Sequence, residues 1–266
     1  MSDDTGKSAT FWEHLDELRS CLVRIVIVTA VAMIVAFCLK EWLFAVILAP
    51  AHDDFISYQW LGLLSFFPEA TEGGRDGIHL INTGLTEQFM MHMKASFYVG
   101  LLVVMPYILY VLFGFIAPGL YDRERRYAIR VVGSGYLMFM LGTVVNYLLI
   151  FPLIVRFLGT YQVSAEVENM LTLESYMDTL VMMNIVMGIV FELPVVCWLL
   201  AVMGALKAEW MSRYRRHAIV VIVVIAAIIT PTGDAFTLAV VSLPIWLLYE
   251  VSIWIVKKTS SKTKQD

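Results

Sequence analysis

Residues 115–126 read Phe115-Ile116-Ala117-Pro118-Gly119-Leu120-Tyr121-Asp122-Arg123-Glu124-Arg125-Arg126, and their placement decides how the rest of the chain is arranged. Three arginines, an aspartate and a glutamate fall within five residues, between two long apolar segments. Pro118-Gly119 breaks the preceding helix. Charges this dense do not sit in hydrocarbon, so the stretch is expected to be a loop at a membrane surface. It then fixes the direction in which every other segment crosses.

Composition agrees. Of 266 residues, 59% are hydrophobic and 16% charged, and the mean hydropathy is +0.75. Soluble chains carry roughly 25% charged residues and do not string apolar runs of ~20 together. The formal charge of −4 matters less than its distribution. Cys21, Cys38 and Cys197 are an odd number scattered through apolar sequence, so neither a disulfide framework nor a metal knuckle is read. The polar, acidic segment Met1–Thr10 argues against a cleavable signal peptide. The expectation is an all-α integral membrane protein, one membrane domain over residues 1–266.

Upstream of the loop, Thr10-Phe11-Trp12-Glu13 fits a capping box. Phe11, Leu15, Leu18 and Leu22 share one helical face while Glu13, Asp16 and Glu17 occupy another. Residues 1–24 therefore read as a cytoplasmic segment with an amphipathic surface helix running into the first span. That span covers about Ile25 to Leu48, is disturbed by Lys40-Glu41 and is ended by Pro50. Residues 51–87 form a long outer loop, in which Leu61–Phe67 reads as an interfacial piece too short to span. The second span, about Phe89 to Ile116, contains Pro106.

Downstream of the loop (118–130), a third span covers about Val131 to Val155. Thr160 to Leu173 is a polar connection in which Thr172 is a candidate N-cap. The fourth span, about Tyr176 to Val202, contains Glu192 and Pro194. A basic loop follows at 205–217. Ala218–Ile229 offers only twelve apolar residues, ~18 Å of helix against ~30 Å of hydrocarbon. A turn through Pro231 and Asp234 precedes a return segment that stops at Glu250. The fifth and sixth helices are thus expected to be short, with a thinned bilayer above them. No internal repeat is apparent, unlike inverted-repeat transporters.

With six spans, both termini and the loops at 118–130 and 205–217 share a side, together with the tail at 257–266. That side holds fifteen of the nineteen basic residues; only Lys40, Arg75, Lys94 and Arg156 lie opposite. The positive-inside rule places the basic side, with both termini, in the cytoplasm.

Glu192 is the most costly side chain, since an ionised carboxylate inside a span costs at least ~2.5–3.5 kcal/mol. Pro194 frees a backbone carbonyl one turn back. Two readings stay open, a carboxyl bonded to a neighbouring helix and a polar spot lining a hydrated concavity. Glu17 beside Arg19, and Glu124 among Arg123, Arg125 and Arg126, read from spacing alone as surface ion pairs worth ~0–1 kcal/mol. The five histidines show no ligand spacing, and no Gly-x-Ser-x-Gly elbow or phosphate loop occurs. No catalysis, cofactor or metal is expected. The fifteen methionines and the aromatics read as packing and interfacial anchors.

From His14 to about Trp254 the sequence resembles TatC, the multispanning subunit of the twin-arginine protein translocase. The motifs are His14-Leu15-Asp16-Glu17-Leu18-Arg19, Pro106 to Tyr110, Phe115 to Tyr121 with Glu124-Arg125-Arg126, Phe191-Glu192-Leu193-Pro194, Thr230-Pro231 with Asp234, and Leu248-Tyr249-Glu250. Any one is weak; six in register are specific. The resemblance implies six helices in a glove-like concave arrangement. It also implies a receptor for twin-arginine signal peptides that exports folded proteins across the bacterial inner membrane, driven by the proton motive force.

Signal-peptide binding is then expected at Glu17, Arg19, Phe115, Pro118, Leu120, Glu124 and Arg126, and partner-helix contact at Glu192 and Pro194. Structural turns are expected at Pro50, Pro231 and Asp234. The implied partners are single-span TatA and TatB type subunits, the lipid bilayer and further copies of the chain, with no nucleic acid. The alternative from the residues is a small proton-coupled secondary transporter using Glu192. Three departures from the family pattern are visible: Glu87-Gln88-Phe89 lacks the usual central proline, the first outer loop is long, and Thr232-Gly233 lengthens the turn before Asp234.

Overall fold

From Phe11 to Cys38 no glycine or proline interrupts the chain, and these residues form one helix, α1, of 28 residues. The surface helix expected over residues 1–24 is therefore not a separate element among the described residues; it continues into the first span without a hinge. The computed structural model of the chain describes residues 11–52, 54–58, 80–116, 128–161, 164, 170–230 and 233–263, without the side chains of 11–14, 116, 128–130, 160 and 260–263. The interfacial piece at 61–67, the loop at 117–127 and the turn at 231–232 lie outside the described residues.

Helix α1 stops where Lys40-Glu41 enters the sequence. Leu39 forms a turn, and α2 (Lys40–Leu48) resumes before a 3-10 turn at Ala49–Ala51. The single span expected from Ile25 to Leu48 is thus broken at Leu39. Then come β1 (Leu80–Ile81), α3 (Glu87–Ile116), α4 (Ala128–Val145), a π-helical turn at Asn146–Ile150 and α5 (Phe151–Thr160). Next are β2 (Leu171–Thr172), α6 (Leu173–Phe191), α7 (Leu193–Val202), α8 (Ala208–Arg213), α9 (Arg215–Ile229) and α10 (Ala235–Thr263). Helices α3 and α10 run unbroken through Pro106 and Pro244.

Five segments among the described residues are long and apolar enough to cross a membrane: Leu15–Cys38, Glu87–Phe115, Val131–Gly159, Leu173–Val202 and Ala235–Thr259. Helix α9, at 15 residues, spans about 22 Å. The sixth helix is not short. Helix α10 runs 29 residues, straight through Glu250, because that carboxylate is paired 2.9 Å from the Arg215 guanidinium at the head of α9. The basic segment at 205–217 is likewise mostly helical, with the Met211 carbonyl accepting the Tyr249 hydroxyl at 2.9 Å. Lys207 lies over the Trp210 ring and Lys258 over Trp254, cation–aromatic pairs of the kind that anchor helices at a membrane interface.

Small residues set how closely the spans approach. A side chain at Gly100 of α3 would come within 2.8 Å of the Met33 backbone nitrogen in α1. At Gly142 of α4 it would meet the Met187 carbonyl of α6 at 2.6 Å, and at Gly188 of α6 the Phe139 ring at 2.5 Å. In hydrocarbon, where apolar burial drives little association, such close backbone contact supplies the packing. One turn beyond Gly142 and Gly188, Asn146 donates its amide to the Asn184 side chain at 3.0 Å, both residues buried. Met91, Met177, Met183 and Met187 fill the core around them, each at most 1% exposed.

The other ends of these helices are closed by hydroxyl groups. Pro50 has no N–H for the Val46 carbonyl one turn back, which accepts the Ala49 N–H and, at 2.5 Å, the Tyr147 hydroxyl. The Ile47 carbonyl accepts from Tyr176 at 2.9 Å and the Pro50 carbonyl from Tyr58 at 2.7 Å. Pro152 repeats the problem on α5, and the Leu148 carbonyl accepts the Ser57 hydroxyl. These hydroxyls supply partners to carbonyls at helix ends, where a bare group is costly at membrane depth.

Candidate functional site

The fourth span is divided at Glu192. Helix α6 ends at Phe191 and α7 begins at Leu193, because Pro194 cannot donate to the turn before it. The Glu192 N–H reaches back to Ile189 at 3.1 Å, and its carbonyl accepts from both Val195 and Val196. Its side chain is held at a fixed height against α4. A Cβ on Gly135 would lie 3.0 Å from one carboxyl oxygen, 3.4 Å from the other and 3.3 Å from the Leu109 methyl of α3. The carboxyl group therefore occupies a niche between α3 and α4 that exists because residue 135 is glycine. Residue Glu192 is half-buried, and its Oε1 is buried with no hydrogen-bond partner. The reading that bonds this carboxyl to a neighbouring helix finds no such bond for Oε1.

The expected cytoplasmic acids are only partly visible. Glu17 and Arg19 are exposed on the first turns of α1, and two residues of helix put their side chains about 200° apart. Arg19 is therefore not the face-sharing neighbour of Glu17. Phe115 is half-buried in the last turn of α3. Pro118, Leu120, Glu124 and Arg126 lie outside the described residues, as does Pro231. Asp234 caps α10, its carboxylate accepting the Thr237 N–H at 2.8 Å and the Thr237 hydroxyl at 2.6 Å. Gly233 precedes it with φ +57°, a conformation for which glycine has no steric penalty.

One carboxylate was missed. Glu87 is 6% exposed and accepts from the backbone N–H groups of Thr83 at 2.9 Å, Gly84 at 2.8 Å and Glu174 at 3.0 Å. It thus binds the approach to α3 and the first turn of α6 at once, where a negative charge also meets the positive ends of both helix dipoles. Thr172, the expected N-cap, does accept the Ser175 N–H at 3.2 Å. The parallel bridges Leu80 to Leu171 and Ile81 to Thr172 hold the two approaches side by side. An acid just before an apolar span was the available signal, but its partner on α6 lies 87 residues away. Among the described residues no three His, Cys, Asp or Glu side chains are grouped as metal ligands.

These features define a class: a multi-pass helical membrane protein with a buried asparagine pair in its core and one carboxyl group in a niche between spans. The family model described as Sec-independent protein translocase protein (TatC) matches residues 13–244. Proteins named Sec-independent protein translocase protein TatC are similar along most of the chain. That of Koribacter versatilis is 35% identical, covering 100% of this chain and 91% of the relative. That of Deinococcus radiodurans is 32% identical, covering 92% and 85%, and that of Aquifex aeolicus 31% identical, covering 95% and 97%. A crystal structure titled as the twin arginine translocase receptor TatC superposes with a TM-score of 0.74 at 30% identity, over 93% of this chain and 100% of that one. The chain belongs to the TatC family and is a protein-transport component of the Sec-independent, twin-arginine translocase.

Proposed function

We propose that this TatC protein is the signal-peptide receptor and core subunit of its translocase. The observation that carries the reading is its likeness, over nearly its full length, to a solved twin-arginine translocase receptor. In the proposed mechanism Glu17 and Glu124 accept forked hydrogen bonds from the paired guanidinium groups of a signal peptide, each charge-assisted bond contributing ~1.5–3 kcal/mol. Arg19 and Arg126 belong to the same binding surface, which Phe115, Pro118 and Leu120 complete. Lysine supplies charge without the planar fork and is discriminated against.

In this reading six helices form a glove-like concave unit in the bacterial inner membrane, both termini cytoplasmic. Single-span TatA and TatB type subunits dock along the fourth to sixth helices, and several copies of the chain assemble in the receptor complex. Folded proteins then cross at the expense of the proton motive force. Glu192 and Pro194 present the polar spot that meets a partner helix. Its unpartnered Oε1 supports that role, since a buried polar atom without a partner costs ~1–3 kcal/mol and gains from a donor brought by another chain. The secondary-transporter alternative is not favoured by membership of a translocase family.

Two tests follow. A photo-crosslinking residue placed at Asp122, beside Glu124, should capture a twin-arginine peptide and not its twin-lysine counterpart; equal capture of both rejects the receptor role at this loop. At Glu192, Gln should retain most export in a complementation assay and Leu should lose it, because the niche asks for polarity. Indistinguishable export by Glu192→Gln and Glu192→Leu rejects a role for the carboxyl group.

A further inference from the structure

A cavity of about 430 Å³ lies where the break after α1 meets the heads of α3 and α6. Lys40, Phe44 and Leu48 line it from α2, one stripe at four-residue spacing, and Gln88, Phe89 and His92 line it from α3. Three of its lining side chains are polar, Lys40, Gln88 and His92, and Phe44, Leu48, Phe89 and Leu173 are apolar. Lys40 is exposed and joins no ion pair among the described residues. His92 is 8% exposed, and its Nε2 is buried without a hydrogen-bond partner. The imidazole is fixed by stacking on Phe37, centroids 3.9 Å apart at 14°, with Phe44 on a second side at 5.7 Å. A buried ring nitrogen with nothing to bond is costly unless a ligand or water completes it.

Three acids adjoin the lining residues in sequence: Glu41 beside Lys40, Glu87 beside Gln88, and Glu174, exposed, beside Leu173. Both Glu87 oxygens are taken by backbone N–H groups, and Asp178 is paired with Lys94 at 2.6 Å. Glu41 follows Lys40 directly, so its side chain leaves α2 about 100° round the helix. The lining itself offers a ligand a cation, an amide and an imidazole beside apolar side chains. Phe89 is 58% exposed on its outer side.

We propose that this cavity is a binding site for an anionic phospholipid. The phosphate is held by Lys40, Gln88 and His92, and one acyl chain lies against Phe44 and Phe89. The apolar walls select a lipid over free phosphate, which would leave them bare. A lipid seated there bridges the α1–α2 break to the end of the molecule where Glu87 ties α3 to α6, and so holds the break at a set angle.

The test is native mass spectrometry of the full-length, delipidated protein titrated with phosphatidylglycerol, phosphatidylethanolamine and glycerol phosphate. Phosphatidylglycerol should bind most tightly, and Lys40→Gln should weaken it about five-fold, the effect typical of one basic side chain facing an anionic headgroup. His92→Phe, which keeps the stacking, should also weaken it, and Lys40→Arg should retain it. Size-exclusion profiles identify variants that have not folded; should His92→Phe be one, the Lys40→Arg and Lys40→Gln pair, both on an exposed residue, remains decisive. Equal phosphatidylglycerol binding by wild type and folded Lys40→Gln overturns the proposal. Competition by glycerol phosphate at the lipid's own concentrations overturns it in favour of a free-phosphate site.

Discussion

Glu87→Ala is expected to destabilise the protein by at least about 3 kcal/mol, twice the lower value for a single hydrogen bond to a charged group. The wild-type carboxylate accepts three backbone N–H groups and, at 3.3 Å, the Thr83 hydroxyl. Removing it leaves donors at two helix approaches without partners, at a residue only 6% exposed. The loss falls on tertiary structure, since the Glu174 N–H belongs to α6 while Glu87 belongs to α3. Glu87→Gln should be intermediate, keeping the shape and one carbonyl acceptor but losing the charge that favours both helix starts. Thermal or denaturant unfolding of the purified protein in detergent reads the difference. Wild-type stability for Glu87→Ala would mean that the carboxylate is not what joins these two helices.

Glu124→Ala, and separately Glu17→Ala, is expected to weaken binding of a twin-arginine signal peptide by ~2–5 kcal/mol, the cost of removing one partner from a desolvated charge pair. That range holds where the loop and peptide exclude water from the pair. Unlike Glu87→Ala, Glu17→Ala should leave the unfolding transition almost unchanged, because Glu17 is exposed on α1 and solvated carboxylates contribute ~0–1 kcal/mol to folding. Calorimetric titration with the peptide separates the two kinds of effect. Unchanged affinity in both variants would return these acids to ordinary surface charges.

Much of the fold was legible because hydrocarbon leaves few solutions. Runs of apolar residues placed the spans, Thr172 marked the head of α6, and Pro50 and Pro194 marked breaks where an N–H is missing. What the sequence did not disclose is where each freed group finds its partner. Tyr147 and Tyr176 reach carbonyls 101 and 129 residues away, and no local pattern encodes such pairs. The same limit explains the last helix. Glu250 looked like an end because a charge is costly in hydrocarbon, and only the position of Arg215, 35 residues upstream, removes that cost. At the site, Glu192 was conspicuous from its expense alone. Its niche was not, since it depends on Gly135 in another span having no side chain.

The central claim is recognition of paired guanidinium groups, and affinity measures it most directly. Wild-type protein in detergent, titrated with a signal peptide bearing Arg-Arg and with the same peptide bearing Lys-Lys, should bind the first far more tightly, since only arginine presents a planar fork to a carboxylate. That preference should disappear in Glu124→Ala. Equal affinity of the wild-type protein for the two peptides would contradict the account.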